Sequence, residues 1–299
     1  MSAEQRNARL ATLALLAMTA CWGSTFFMIK DLQERVSAVD FLAVRFAIAT
    51  VALFVIFPRA VRALSADARR RAVVLGGLYA GGQIMQTIGL AHTAASVSGF
   101  ITGMYVVCTP LLAAVLLRSR IGALTWFAVA LAMAGIGLLT LRPGGLDFGY
   151  GETLTLVAAV VYALHIVGLG AWSTPTEAMG MSIVQLAVIT VICTIGAVPN
   201  GIGLPTTGVD WLRVFYMALF AGALAMAGQT WAQAHLSPTR SAIIMSMEPV
   251  FAAFFAVLAG GESITSRLLI GGGMVLSAML IVELMPRRKI EAEVTHIAV

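Results

Sequence analysis

Charge is what this sequence has least of. Only 11% of its 299 residues are Asp, Glu, Lys or Arg, while 60% are hydrophobic; an ordinary soluble domain carries about 25% charged residues. A soluble fold of this length has too little interior to hide so much apolar surface. A water-soluble globule is therefore excluded and an all-α integral membrane protein is expected. Cysteine is scarce as well. Cys21, Cys108 and Cys193 all sit inside apolar runs, and their spacing fits neither a disulfide framework nor a metal site. A G-x-x-x-x-G-K-[ST] phosphate loop is missing, which argues against ATP hydrolysis by this chain. The H-E-x-x-H or clustered carboxylates of an intramembrane enzyme are missing too. No enzyme, metal or cofactor is expected. The net charge of +5 comes from arginines between apolar runs, so it reports membrane orientation and not nucleic-acid binding.

What is there is a series of apolar runs. About 20 residues of helix cross roughly 30 Å of hydrocarbon, and ten runs qualify: 10–30, 41–57, 72–91, 96–117, 121–141, 153–172, 179–198, 211–234, 241–259 and 266–285. The first is too long for a signal-peptide core and lacks an A-x-A-like cleavage site, so it counts as a span. With a cytoplasmic N-terminus, Arg59, Arg62, Arg69, Arg70, Arg71, Arg118, Arg120 and the tail's Arg287, Arg288 and Lys289 all fall inside. Fewer basic residues fall outside, so both termini are expected in the cytoplasm.

One stretch occurs twice. Gln86-Thr87, four residues, then His92 returns as Gln229-Thr230, four residues, then His235, and each copy leads into a run broken by proline, Pro110 and Pro249. Trp22 matches Tyr162 and Arg45 matches Gln185 at one common offset. The chain divides into units 1–145 and 146–286 of five spans each, followed by a polar tail, 287–299. Five is odd, so the second unit enters the membrane upside down. Inverted repeats enclosing a midplane site are a frequent plan of secondary transporters.

Polar groups inside spans are costly, which makes each a candidate site. Glu248 precedes Pro249, which leaves the Met245 carbonyl one turn earlier without its helix donor. Ser241, Met245 and Glu248 share a face, and Glu248 fits a proton carrier or a ligand for a substrate ammonium. His165 lies one turn from Tyr162. Arg45 could hold a substrate carboxylate; it could equally snorkel or pair with the acidic outer loop (Asp31, Glu34, Asp40), and a structural role is favoured. Tyr79, Gln83 and Gln86 share one face of the third span; Ser98, Thr102, Tyr105 and Thr109 form a stripe on the fourth. Polar stripes face protein or a water-filled cavity. Trp22, Tyr79, Gln83, Tyr105, Tyr162, His165, Trp231, Met245 and Glu248 are expected to line a pathway for a small, partly apolar or zwitterionic substrate. The fifth and tenth spans, nearly free of polar side chains, read as scaffold or as a surface for a homo-oligomer in the lipid bilayer.

ACWGSTFFMIK (20–30), FLAVRFAIA (41–49), the Pro110 and Glu248-Pro249 spans and GGESIT (260–265) together resemble the EamA family of the drug/metabolite transporter superfamily. The likeness covers nearly the whole chain as two units, and more narrowly resembles the YddG-type exporters of aromatic amino acids. It implies ten spans in two inverted five-helix repeats, cytoplasmic termini, a central cavity, and export of amino acids or related metabolites across the inner membrane. An exporter of drugs or an uptake carrier would share the same helices. One departure stands out: where many members carry G-E after the fourth span, this chain has Arg118-Ser119-Arg120.

Overall fold

The structure, a computed structural model, describes residues 3–116, 122–142, 145–146, 148–233, 235–236 and 244–284. Arg118-Ser119-Arg120, Ser241 and the tail 287–299 lie outside the described residues. The described elements are helices joined by short turns, with one pair of two-residue strands, β1 (Leu141–Arg142) and β2 (Gly145–Leu146), antiparallel between two helices. In order the helices are α1 (Ala3–Leu32), α2 (Ala38–Ile56), α3 (Ala66–Leu90), α4 (Ala95–Thr102), α5 (Tyr105–Leu116), α6 (Ala123–Leu139), α7 (Tyr150–Trp172), α8 (Ala178–Ala197), α9 (Gly208–Ala218), α10 (Ala225–Gln233), α11 (Glu248–Leu258) and α12 (Ser266–Leu284). Among the described residues six helical stretches are long and apolar enough to cross a membrane, including Ala95–Leu112 and Gly208–Gln233 as single spans. α6, α11 and the Ser266–Ile281 part of α12 are apolar but shorter. α3 runs for 25 residues from a charged first turn containing Asp67. The chain is a multi-pass membrane protein.

Several helices start where a hydroxyl can accept a free N–H of the first turn. Ser37 Oγ accepts from Asp40 N at 3.2 Å, Ser65 Oγ from Ala68 N at 3.1 Å, and Thr207 Oγ1 from Asp210 N at 3.1 Å. Ala94 offers α4 no such group. The Glu262 carboxylate supplies the cap from elsewhere in the chain, accepting from Ala95 N at 2.7 Å and from the Ser96 hydroxyl.

Two of the expected spans are not uniform helices. The fourth breaks between α4 and α5 at Gly103-Met104, where bonds shorten to Val106 N–Gly103 O and Val107 N–Met104 O. The proline within α5, Pro110, lacks an N–H for the ladder, and kinks gather at such residues. The eighth widens into a π-helical turn over Leu219–Leu224 between α9 and α10, a geometry that frees backbone carbonyls for outside donors.

Packing places α1 against α10 and α11, α2 against α8, α3 against α7 and α8, α4 against α11, α5 against α7 and α6 against α12. α6 and α12 meet at glycine: a Cβ on Gly135 would fall 2.8 Å from Gly271 O, and one on Gly271 would fall 2.9 Å from Gly135 O. Only two glycines let these backbones touch. Thr50 on α2 and Thr190 on α8, 140 residues apart, hydrogen-bond each other at 3.0 Å. At one end of the bundle, Asp31 and Asp210 bind Arg35 at 2.7 and 2.8 Å, and Arg213 also bridges them. The hydrogen bonds Arg35 donates to Asp210 and Asp31 push its guanidinium pKa above the ordinary value.

Candidate functional site

A cavity enclosing about 660 Å³ of empty space, its mouth included, lies between α1, α2, α3, α4, α5, α7, α10 and the approach to α11. Its wall begins with an aromatic group. Tyr79 on α3 meets Phe46 edge-on at 5.7 Å and lies 6.3 Å from the Tyr162 ring and 5.4 Å from His165. Tyr162 is set there by Gly82: a Cβ at that position would come within 2.5 Å of the tyrosine ring.

Polar groups then tie the wall together across helices. Tyr162 Oη donates to Gln86 Oε1 at 2.7 Å, and Gln86 Nε2 donates to Thr102 Oγ1 at 3.0 Å, which links α7, α3 and α4. His165 Nε2 lies 2.7 Å from Gln185 Oε1; an amide oxygen only accepts, so that nitrogen carries the proton. On the far wall Tyr105 Oη lies 2.9 Å from Glu248 Oε2 and 3.2 Å from Met245 O. Met245 O is the carbonyl that Pro249 leaves without a helix donor, and Tyr105 supplies the replacement from another helix. The carboxylate and the kink thus share one donor.

Eight of the nine nominated residues line this one cavity: Trp22, Tyr79, Gln83, Tyr105, Tyr162, His165, Met245 and Glu248. Trp231 does not. It is half-buried and lies against His235, ring to ring at 4.5 Å, with His235 Nδ1 2.9 Å from its own carbonyl. Of the stripe on the fourth span, Thr102 and Tyr105 reach the cavity. Ser98 is buried, with no hydrogen-bond partner for its hydroxyl among the described residues, and Thr109 bonds back to Tyr105 O at 2.7 Å.

Arg45 makes structural contacts, but with partners other than the acidic outer loop. Its guanidinium is buried, donating from Nε to Met217 O and from Nη2 to Ala221 O, both at 3.2 Å. Met217 precedes the π-helical turn and Ala221 lies within it, and Trp22 Nε1 donates to the same Ala221 O at 3.0 Å. The Phe46 and Phe41 rings lie 4.9 and 5.7 Å from its Cζ, within cation–π reach. Arg45 also lines the cavity.

Thr25, Phe26, Ile29, Thr87, Leu90, Ile166 and Gln229 also line the cavity without having been nominated. The repeat held the signal for Thr25, Phe26, Ile166 and Gln229. Trp22, Thr25 and Phe26 stand opposite Tyr162, His165 and Ile166 at the same offset of 140 that separates the touching threonines. Gln86, Thr102 and Tyr105 stand opposite Gln229, Met245 and Glu248 at the offset of 143 that separates Tyr105 from Glu248.

A polytopic helical protein with a mixed aromatic and polar cavity sunk among its spans has the form of a membrane transporter. The sequence profile of the EamA-like transporter family matches residues 9–141 and again 149–284. The chain belongs to that family: it is a transporter and not an enzyme. It is 28% identical over 274 residues to an uncharacterized transporter of Archaeoglobus fulgidus, covering 92% of this chain and 86% of the relative. It is 26% identical over 280 residues to the uncharacterized inner membrane transporter YedA of Escherichia coli, covering 91% and 90% of the two chains. A solved crystal structure shares the fold, with a TM-score of 0.65 at 18% identity over 91% of this chain and 96% of that one.

Proposed function

We propose that this protein is a secondary transporter that exports amino acids, aromatic ones foremost, or closely related metabolites across the inner membrane. In this reading ten spans form two inverted units, 1–145 and 146–286, with both termini in the cytoplasm. The excess of Lys and Arg in segments then facing inward supports that orientation, and a relative carrying the words inner membrane in its name supports the location.

The observation that carries the reading is the pairing of equivalent residues around one cavity. Positions from the first unit and their counterparts in the second line the same space, and Tyr105 touches its own counterpart Glu248 at 2.9 Å. A site on the axis relating two inverted units can open to either side when the units exchange packings. Trp22, Tyr79, Tyr105 and Tyr162 give it ring faces for an aromatic side chain. Gln83, Gln86 and Gln229 give it neutral hydrogen-bonding groups.

The test is counterflow. Proteoliposomes preloaded with unlabelled phenylalanine should take up labelled phenylalanine with saturation, and a channel would not show this trans-stimulation. Absence of exchange with phenylalanine and with threonine, from protein shown to be folded, would remove the amino-acid reading and leave the family assignment in place.

A further inference from the structure

The cavity carries two charged side chains of opposite sign, and each stands where the two units differ. Arg45 occupies the position of Gln185 in the other unit, at the offset that relates Thr50 to Thr190. Glu248 stands opposite Tyr105 at the offset of 143 that relates Gln86 to Gln229. Both line the cavity, Arg45 at 2% and Glu248 at 7% exposure. Among the described residues neither makes an ion pair. A buried charge without a counter-ion is costly, and two such charges of opposite sign facing one space invite a ligand that carries both complements.

The hydrogen-bonding capacity points the same way. A guanidinium has five N–H donors. Those at Nε and Nη2 hold Met217 O and Ala221 O, which fixes the plane of the fork and leaves donors over for an anion. The Glu248 carboxylate has room for donors beyond Tyr105, since each oxygen accepts more than one. Tyr79, Tyr162 and His165 lie along the same cavity as these poles.

Resting on the reading of this cavity as the transport site, we propose that Arg45 receives the carboxylate and Glu248 the ammonium of a zwitterionic substrate, so that both charges, and not the aromatic ring alone, select it. A monocation or monoanion satisfies one pole and leaves the other buried and unpaired. A zwitterion enters with no net charge carried into the membrane, which keeps the cost of transit low. The two poles come from opposite units, so a bound zwitterion ties the units together across the axis.

Counterflow of labelled phenylalanine, repeated with labelled threonine, is measured against three unlabelled competitors: phenylalanine, phenylalaninamide, which lacks the carboxylate, and N-acetylphenylalanine, which lacks the ammonium. Phenylalanine should compete at least about tenfold better than either analogue, the usual scale for a charged hydrogen bond lost in a buried site. Arg45→Gln, which installs the residue of the other unit, should bring phenylalanine down to the level of phenylalaninamide while leaving phenylalaninamide unchanged. Glu248→Gln should do the same relative to N-acetylphenylalanine. A merely structural Arg45 would weaken all three competitors together, and that result overturns the assignment. If Arg45→Gln does not fold, the wild-type panel still decides: equal competition by all three overturns the inference while exchange itself stands. Absence of exchange with either labelled amino acid overturns both this inference and the amino-acid reading beneath it.

Discussion

At the scale of single residues the informative positions are those where one group answers for two needs. Tyr105 supplies a donor to a carboxylate and to the carbonyl orphaned by a proline. Tyr105→Phe should cost about 1–3 kcal/mol, the penalty of leaving buried acceptors unpaired, seen as a lower unfolding midpoint in detergent. Pro249→Ala restores an N–H in the ladder that can pair with Met245 O. In the Tyr105→Phe background it should therefore recover part of that loss, which a double-mutant cycle reads as non-additivity. A strictly additive cycle would mean the two residues do not share that carbonyl. Tyr79 and Trp231 make a second contrast. Both are aromatic residues in spans, but only Tyr79 lines the cavity. Tyr79→Ala should raise the KM for counterflow severalfold with the protein still inserted. Trp231→Ala should act on stability through its contact with His235 and leave the KM near wild type.

At the scale of elements, α3 shows how a helix aims a neighbour's side chain. Gly82 gives the Tyr162 ring its seat, whereas Gly77, on the same helix, has nothing within 4 Å of where a Cβ would be. Gly82→Ala should displace Tyr162 and weaken transport. Gly77→Ala should leave transport unchanged and stabilise the helix by roughly 0.5–1 kcal/mol through lower chain entropy. Equal effects of the two substitutions on transport would remove the positioning argument. The π-helical turn shows the reverse relation, an element held by side chains from outside. Its Ala221 carbonyl accepts from both Arg45 and Trp22, so a local departure from α-helix and two costly polar side chains compensate one another.

At the scale of the whole molecule the contacts between equivalent positions matter most. Thr50 and Thr190, related by the offset of 140, join one unit to its counterpart. If the proposed inverted units exchange packings about their axis, a contact between a residue and its own equivalent maps onto itself and persists in both states. Paired Thr50→Cys and Thr190→Cys, in a chain with Cys21, Cys108 and Cys193 replaced, should cross-link readily without abolishing counterflow. Loss of exchange on cross-linking, recovered on reduction, would argue that α2 and α8 separate during the cycle.

The sequence by itself determined the class, the rough position of the apolar helices and the existence of a repeat. These depend on local quantities: the length of an apolar run against the bilayer, the cost of charge within it, and recurrence along the chain. It also placed Tyr79, Gln83 and Gln86 on one face, because residues three and four apart share a side of any helix. Only the tertiary structure decided which way each helix is rotated and what each polar group meets. It left Trp231 out of the cavity lining, broke the fourth span at Gly103-Met104, and gave Arg45 the carbonyls of a helix far along the chain as partners. The physical reason is the same in each case. A helix's own pattern fixes its periodicity, whereas its rotation and its polar partners are set by the neighbours it packs against.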